Sequence, residues 1–185
     1  LDRPLISMTA LGVVNKEYFV RTGAARSGDL VLMTKTAAIE GTAIIASDFM
    51  ETLAAKGVSR SILDRSRQFI ERISVVKEAL LLAEKKLASS MHDPTEGGLI
   101  GGLTEIAYAS HKTLEVWESR IPVAEETREI CSALSIDPLK LISSGTLLAA
   151  VPASRVQEAK AVLSKAGIEA TVIGQVCEYD GRLLV

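Results

Sequence analysis

Residues 91–107 read Met91-His92-Asp93-Pro94-Thr95-Glu96-Gly97-Gly98-Leu99-Ile100-Gly101-Gly102-Leu103-Thr104-Glu105-Ile106-Ala107, with three acids, one histidine, two threonines and four glycines around a single proline. Pro94 biases Asp93 away from the helical region, so a strand or loop ends there. Thr95 is then placed to cap a helix beginning at Glu96 or Gly97. The first turn of such a helix leaves amides pointing outward, and Gly97 and Gly98 carry no side chain to hold a ligand away from them. A phosphate can approach the positive end of the helix, with Asp93 holding Mg²⁺ directly or through water and His92 donating or shuttling a proton.

A packing explanation stands beside that one. Gly97, Gly98, Gly101 and Gly102 form two small-xxx-small pairs, which let a helix lie close to a sheet, and Thr95 with Asp93 then serves only as a cap. No Gly-Lys-Ser/Thr follows, so the stretch is not a Walker loop, nor is it a dinucleotide fingerprint.

Two further loops are candidates. Ile142-Ser143-Ser144-Gly145-Thr146 places two hydroxyls and a glycine immediately before an apolar strand, where a plain turn is the commoner outcome. Lys35-Thr36-Ala37-Ala38-Ile39-Glu40-Gly41-Thr42 leaves a strand and enters a helix, where Lys35 and the amides near Gly41 can meet an anion. For this loop the favoured expectation is a simple connection with Lys35 solvated.

Around these loops the pattern alternates between helical and extended periods. A strand is predicted at 30–35, helices at 40–56, 59–71 and 75–87, and the glycine-rich helix from 96 or 97 to 110. Ser59 is the expected N-cap of the second helix. A strand at 113–118, a helix at 125–134, a strand at 146–151, a helix at 153–167 and strands at 169–177 and 182–185 complete the order. That order is not strictly alternating, which favours an α+β layered fold over a doubly wound one.

With 185 residues the chain can bury a substantial core, and 48% hydrophobic residues with only 4% aromatic means a core of Ala, Leu, Ile and Val. The 21 basic and 23 acidic residues form no basic block, which argues against a nucleic-acid partner. Apolar runs such as Ala43-Ile44-Ile45-Ala46 are far too short for a bilayer, so no membrane partner is expected. Cys131 and Cys177 lie far apart without a CxxC pair, which fits a cytoplasmic protein. His92 and His111 lie too far from each other and from the cysteines for a His/Cys metal site. The chain opens on Leu1, and further sequence is expected before it.

In these motifs the chain resembles the C-terminal domain of the aminoimidazole ribonucleotide (AIR) synthetase superfamily, the PurM type, with its strongest likeness to HypE-like hydrogenase maturation proteins. The resemblance rests on Gly28-Asp29 before a strand, Glu40-Gly41-Thr42-Ala43-Ile44 at a helix start, "MHDPTEGG" at 91–98, "IDPLKLISSGTLLAAV" at 136–151, and Gly174. It implies an α+β, three-layer α/β/α fold with a mixed sheet, partly ferredoxin-like. It also implies that residues 1–20 are a linker or first strand after an N-terminal ATP-binding domain, with the PurM-like domain at 21–185.

Further implications concern function. Such proteins use ATP and Mg²⁺ to phosphorylate and activate an amide, carbonyl or similar oxygen. The companion domain carries most of the Mg²⁺-binding aspartates and the usual homodimer contact. This chain would then supply part of a nucleotide and substrate cleft, from Lys35, Gly41, Asp93, Thr95, Gly97, Gly98, Ser143, Ser144 and Gly145, with His92 and Asp93 as the candidate catalytic pair and Asp93 as a Mg²⁺ ligand. Alone it is expected to be inactive toward ATP. Two positions depart from the hydrogenase-maturation pattern: Ser144 stands where those proteins carry a glutamate, and the chain ends Gly181-Arg182-Leu183-Leu184-Val185 where they present a cysteine. A non-catalytic paralogue that holds a nucleotide or partner is the competing expectation, and a small-molecule kinase is a third.

Overall fold

The computed structural model describes residues 6–9 and 11–185. Strand β1 (Asp29–Thr34) lies at the centre of a five-stranded sheet ordered β2-β4-β1-β5-β3, with β2 at Ser90–His92, β3 at Lys112–Val116, β4 at Leu148–Pro152 and β5 at Ala170–Glu178. All four ladders are antiparallel. Among the described residues, the mixed character expected of the sheet is confined to one parallel bridge, Leu114 to Leu184. The C-terminal residues predicted as a strand run along the outer edge of β3, where the Leu114 amide donates to the Leu183 carbonyl and the Val116 amide to Val185.

Side chains along β1 alternate between the two faces of the sheet. Val31 and Met33 pack with Leu99, Leu103 and Ile106 of helix α5 (Gly98–Ser110). Leu32 turns the other way, onto Leu82 of α4 (Val76–Glu84) and onto Val156, Ala159 and Leu163 of α7 (Val156–Lys165). Helices therefore cover both faces, giving the expected three layers of an α+β fold. Each fully buried leucine in these layers contributes about 2 kcal/mol.

Beside the layers, α1 (Ile39–Asp48), α2 (Met50–Ala55), α3 (Arg60–Arg67) and α6 (Glu125–Leu134) meet around Ala46, Leu53, Ile62, Leu63 and Ile130. The single helix predicted at 40–56 is broken at Phe49, whose backbone leaves the helical region. Just before the break, the Ser47 hydroxyl donates back to the Ala43 carbonyl, a bond that bends helices. Ser59 caps α3 as expected, its oxygen accepting from the Ile62 amide. Among the described residues no helix is long and apolar enough to cross a membrane.

Gly174 in β5 shows why one glycine is obligatory. A Cβ there would lie 2.2 Å from the Glu115 carbonyl of the neighbouring strand, beside the bulge that shifts the β1–β5 register after Val31.

Candidate functional site

Three connections converge at one end of the sheet: β1 to α1 through residues 35–38, β2 to α5 through 93–97, and the loop 143–147 that leads into β4. They are tied to one another by specific bonds. The Thr146 hydroxyl donates to the Thr36 carbonyl at 2.7 Å and stands 3.2 Å from the Ser143 hydroxyl, which in turn accepts from the Ala38 amide at 2.9 Å. The Ser143 amide reaches the Thr95 carbonyl at 3.4 Å. Ser143 is completely buried, and its hydroxyl serves as a pin between loops.

Asp93 faces this junction. Its Oδ1 is buried and has no hydrogen-bond partner among the described residues. An unpaired buried carboxylate oxygen is costly, and native structures keep one only for a reason. Burial pushes the Asp93 carboxyl above its ordinary range and Glu40 adds to the rise, whereas the Gly145 amide, His92 and Lys35 pull the other way. Two segments far from Asp93 in sequence, one carrying Lys35 and Glu40 and the other Gly145, thus act on its carboxyl group. Gly145 has φ +101° and is walled by Ile73 and the Arg72 carbonyl, so no side chain fits.

Other candidate residues are placed differently from their expectations. Lys35 is not solvated: its ammonium lies 2.8 Å from Oε1 of the buried Glu78 and donates to the carbonyls of Arg72 and Ser74. All three donors are used internally. Gly41 sits inside α1, its amide bonded to the Ile142 carbonyl, and a Cβ would lie 2.4 Å from Leu141 Cγ.

The glycine-rich helix mouth divides the two explanations between its residues. Thr95 does not cap with its side chain; α5 begins at Gly98 after Gly97, whose φ of +81° makes the turn, and the Gly98 amide bonds to the Thr95 carbonyl. Thr95 is displaced because two consecutive left-handed glycines swing it out of capping position. Gly98 is covered: a Cβ there would meet the backbone of Leu139, Lys140 and Leu141 at 2.6–2.7 Å. The Ile100 amide is also taken, by the Leu139 carbonyl. Gly98 and Gly102 therefore serve packing, the latter against Pro94. Thr95, Glu96 and Gly97 are exposed, and Ser144 is half-buried with a hydroxyl that makes no hydrogen bond among the described residues. These remain the groups a ligand can touch.

His92 turns toward the helix on the other side of β2. Its Nε2 lies 2.6 Å from Glu105 and its Nδ1 3.2 Å from the Thr22 hydroxyl. Its ring tethers the segment before β1 to α5. Glu78, which helps to organise the site, carries no recognisable motif; an acid 43 positions from its lysine leaves no local signal.

The model of the family described as AIR synthase related protein, C-terminal domain, matches residues 26–184. The chain belongs to that family. This AIR synthase-related domain is 30% identical over 185 residues to carbamoyl dehydratase HypE of Azotobacter vinelandii, covering 99% of this chain and 51% of that protein. The crystal structure of Escherichia coli HypE, a hydrogenase maturation protein, superposes with a TM-score of 0.70 at 25% identity, covering 86% of this chain and 46% of that one. A HypE crystal structure in complex with ATP gives 0.64 at 28% identity over 89% of this chain and 47% of that one. The chain spans about half the length of these relatives. The family and the three-layer fold implied by the 91–98 and 136–151 motifs are thereby shown.

Proposed function

We propose that the chain is the C-terminal domain of an ATP-dependent, HypE-like member of the AIR synthase-related family, and that it forms one wall of the nucleotide and substrate cleft. The observation that carries this is the buried, unpartnered Oδ1 of Asp93 at the junction of three loops. The likeness to a HypE solved with ATP supports the nucleotide. The chemistry would be phosphorylation of an amide, carbonyl or similar oxygen.

The donor set fits a partial Mg²⁺ site. Among the described residues no group of three or more His, Cys, Asp or Glu is arranged to hold a metal. Mg²⁺, however, commonly takes only one or two carboxylates, together with waters and substrate phosphates. Asp93 would provide one such oxygen, with Glu40 nearby; the ion would supply charge neutralisation at the phosphates. On this chain, Thr95 and Gly97 would present a hydroxyl and open backbone to the phosphate, and Ser144 a hydroxyl to the substrate. Gly145 and the pinned Ser143 hold that loop in place. The remaining metal ligands would come from a companion N-terminal domain, which would also carry the homodimer contact.

One observation favours the second reading, a domain that binds nucleotide or partner without turnover. Lys35, a cation that acts on Asp93, is fully engaged by Glu78 and two carbonyls. Phosphoryl transfer needs positive charge around the moving group, and a lysine held in this way is not free to move onto it. ATP hydrolysis by the chain alone, and by the chain with a companion domain supplied covalently or in trans, separates the cases. Mg²⁺-dependent turnover only in the second arrangement is expected. Tight ATP binding without phosphate release there would favour the non-catalytic reading, and robust turnover by the chain alone would show the site to be misplaced.

A further inference from the structure

A second concavity, of about 570 Å³, is lined by residues from the 118–128 and 137–139 segments. Its floor is apolar, made by Ile121, Val123, Pro138 and Leu139, and its rim carries Glu118 and Arg128. Ile121, Val123 and Leu139 belong to the core layer beneath α5, so the floor is continuous with the rigid interior. A volume of this size, an apolar floor and a few polar groups at the edge are the usual attributes of a small-molecule site.

The walls are held from behind. Between Ile121 and Val123, the Pro122 carbonyl accepts both the Ala37 amide at 2.9 Å and the Thr36 hydroxyl at 3.1 Å. Across the concavity, Asp137 accepts from the Leu139 amide at 2.9 Å, and the Leu139 carbonyl accepts from Ile100 at 3.1 Å. Both walls therefore keep their separation without a ligand, which lowers the ordering cost of binding one.

The charges select the ligand. Arg128 is oriented by one bond, from its Nε to the Val123 carbonyl at 3.1 Å, and its two terminal nitrogens make no hydrogen bond or ion pair among the described residues. Such a fork matches a carboxylate. Glu118 also has no side-chain partner among the described residues, and Asp137 is balanced by Lys140 at 3.5 Å. The lining carries two carboxylates, Glu118 and Asp137, against one guanidinium, a balance that disfavours a polyanion such as a nucleotide and complements a zwitterion.

We propose that this concavity binds a free aliphatic amino acid, its carboxylate on Arg128, its ammonium toward Glu118 and its side chain on Ile121, Val123 and Leu139. The proposal is independent of the nucleotide reading, since neither Asp93 nor Ser144 lines this surface.

The test uses L-leucine with two analogues that each lack one charge, leucinamide and 4-methylpentanoate, titrated by NMR or calorimetry. Leucine should bind saturably below about 10 mM, and each analogue about tenfold more weakly or worse. Arg128→Met should abolish leucine binding and Glu118→Gln should weaken it, with unchanged melting temperatures because both side chains are exposed. Either analogue binding as well as leucine, full affinity in a folded Arg128→Met variant, or no saturable binding of leucine would overturn the assignment.

Discussion

Lys35 and Glu78 form an ion pair at 2.8 Å with side chains only 14% and 3% exposed, joining the end of β1 to the start of α4. The Thr34 hydroxyl approaches the same carboxylate and accepts from the Leu147 amide, so the pair sits directly behind the loop that carries Ser144 and Gly145. Its ammonium also holds the 72–74 segment that walls Gly145.

Breaking that pair from one side should be expensive. Glu78→Leu leaves a buried ammonium without its counter-ion, and a loss of about 3 kcal/mol in urea denaturation is expected. The double variant Lys35→Met/Glu78→Leu should recover a large part of it, because the desolvation cost of both ions disappears. A double variant no more stable than Glu78→Leu alone would refute this account of the pair.

The glycines of the helix mouth should respond unequally. Gly98→Val forces a side chain into the Leu139–Leu141 backbone at a residue with φ +65°, and should cost at least about 3 kcal/mol. Gly97→Ala keeps a strained φ of +81° but meets only the Gly101 Cα at 3.4 Å, so about 1 kcal/mol is expected. Thermal unfolding of the two variants checks the order; equal losses would contradict the division of roles.

Asp93 should make the protein less stable as pH rises. Its native carboxyl is held above the ordinary value of 3.8, mainly by burial, so the folded state binds the proton more tightly than the unfolded chain. Stability then falls as pH climbs from the unfolded value through the raised native one. Asp93→Asn removes that fall: the variant should match the parent in acid and exceed it near neutrality. Denaturation midpoints across pH would reveal an error if Asp93→Asn were the less stable protein at neutral pH.

The cysteines offer a check on the core. Burial, with a smaller contribution from Asp137, pushes the Cys131 thiol up to about 11, leaving roughly one thiolate per thousand at pH 8. Cys177 is only half-buried. A thiol reagent at pH 8 should label Cys177 in the native protein and Cys131 only on unfolding. Rapid native labelling of both would contradict the packing of α6.

Much of this was legible in the sequence. The strand at 30–35, the Ser59 cap, the helix after Pro94 and the motifs at 91–98 and 136–151 depend on local chemistry: a cap, a proline, a β-favouring apolar run. Those motifs led to the family and the layered fold. Partner-dependent features were not visible. Whether Lys35 is solvated depends on Glu78, and whether Gly98 is open depends on residues 139–141, which nothing near Gly98 announces. Ser143 and Ser144 are chemically identical neighbours, yet one is a buried pin and the other faces outward, a difference set by the Ala38 amide 105 positions away.

The most direct test of the central claim, that Asp93 marks the nucleotide-facing wall, is calorimetric titration of ATP with Mg²⁺ into the protein completed by its companion domain, before and after Asp93→Asn. The account predicts Mg²⁺-dependent binding that weakens about tenfold or more in the variant, with the fold intact and more stable at neutral pH. Undiminished Mg²⁺-dependent affinity in a folded Asp93→Asn protein would contradict it.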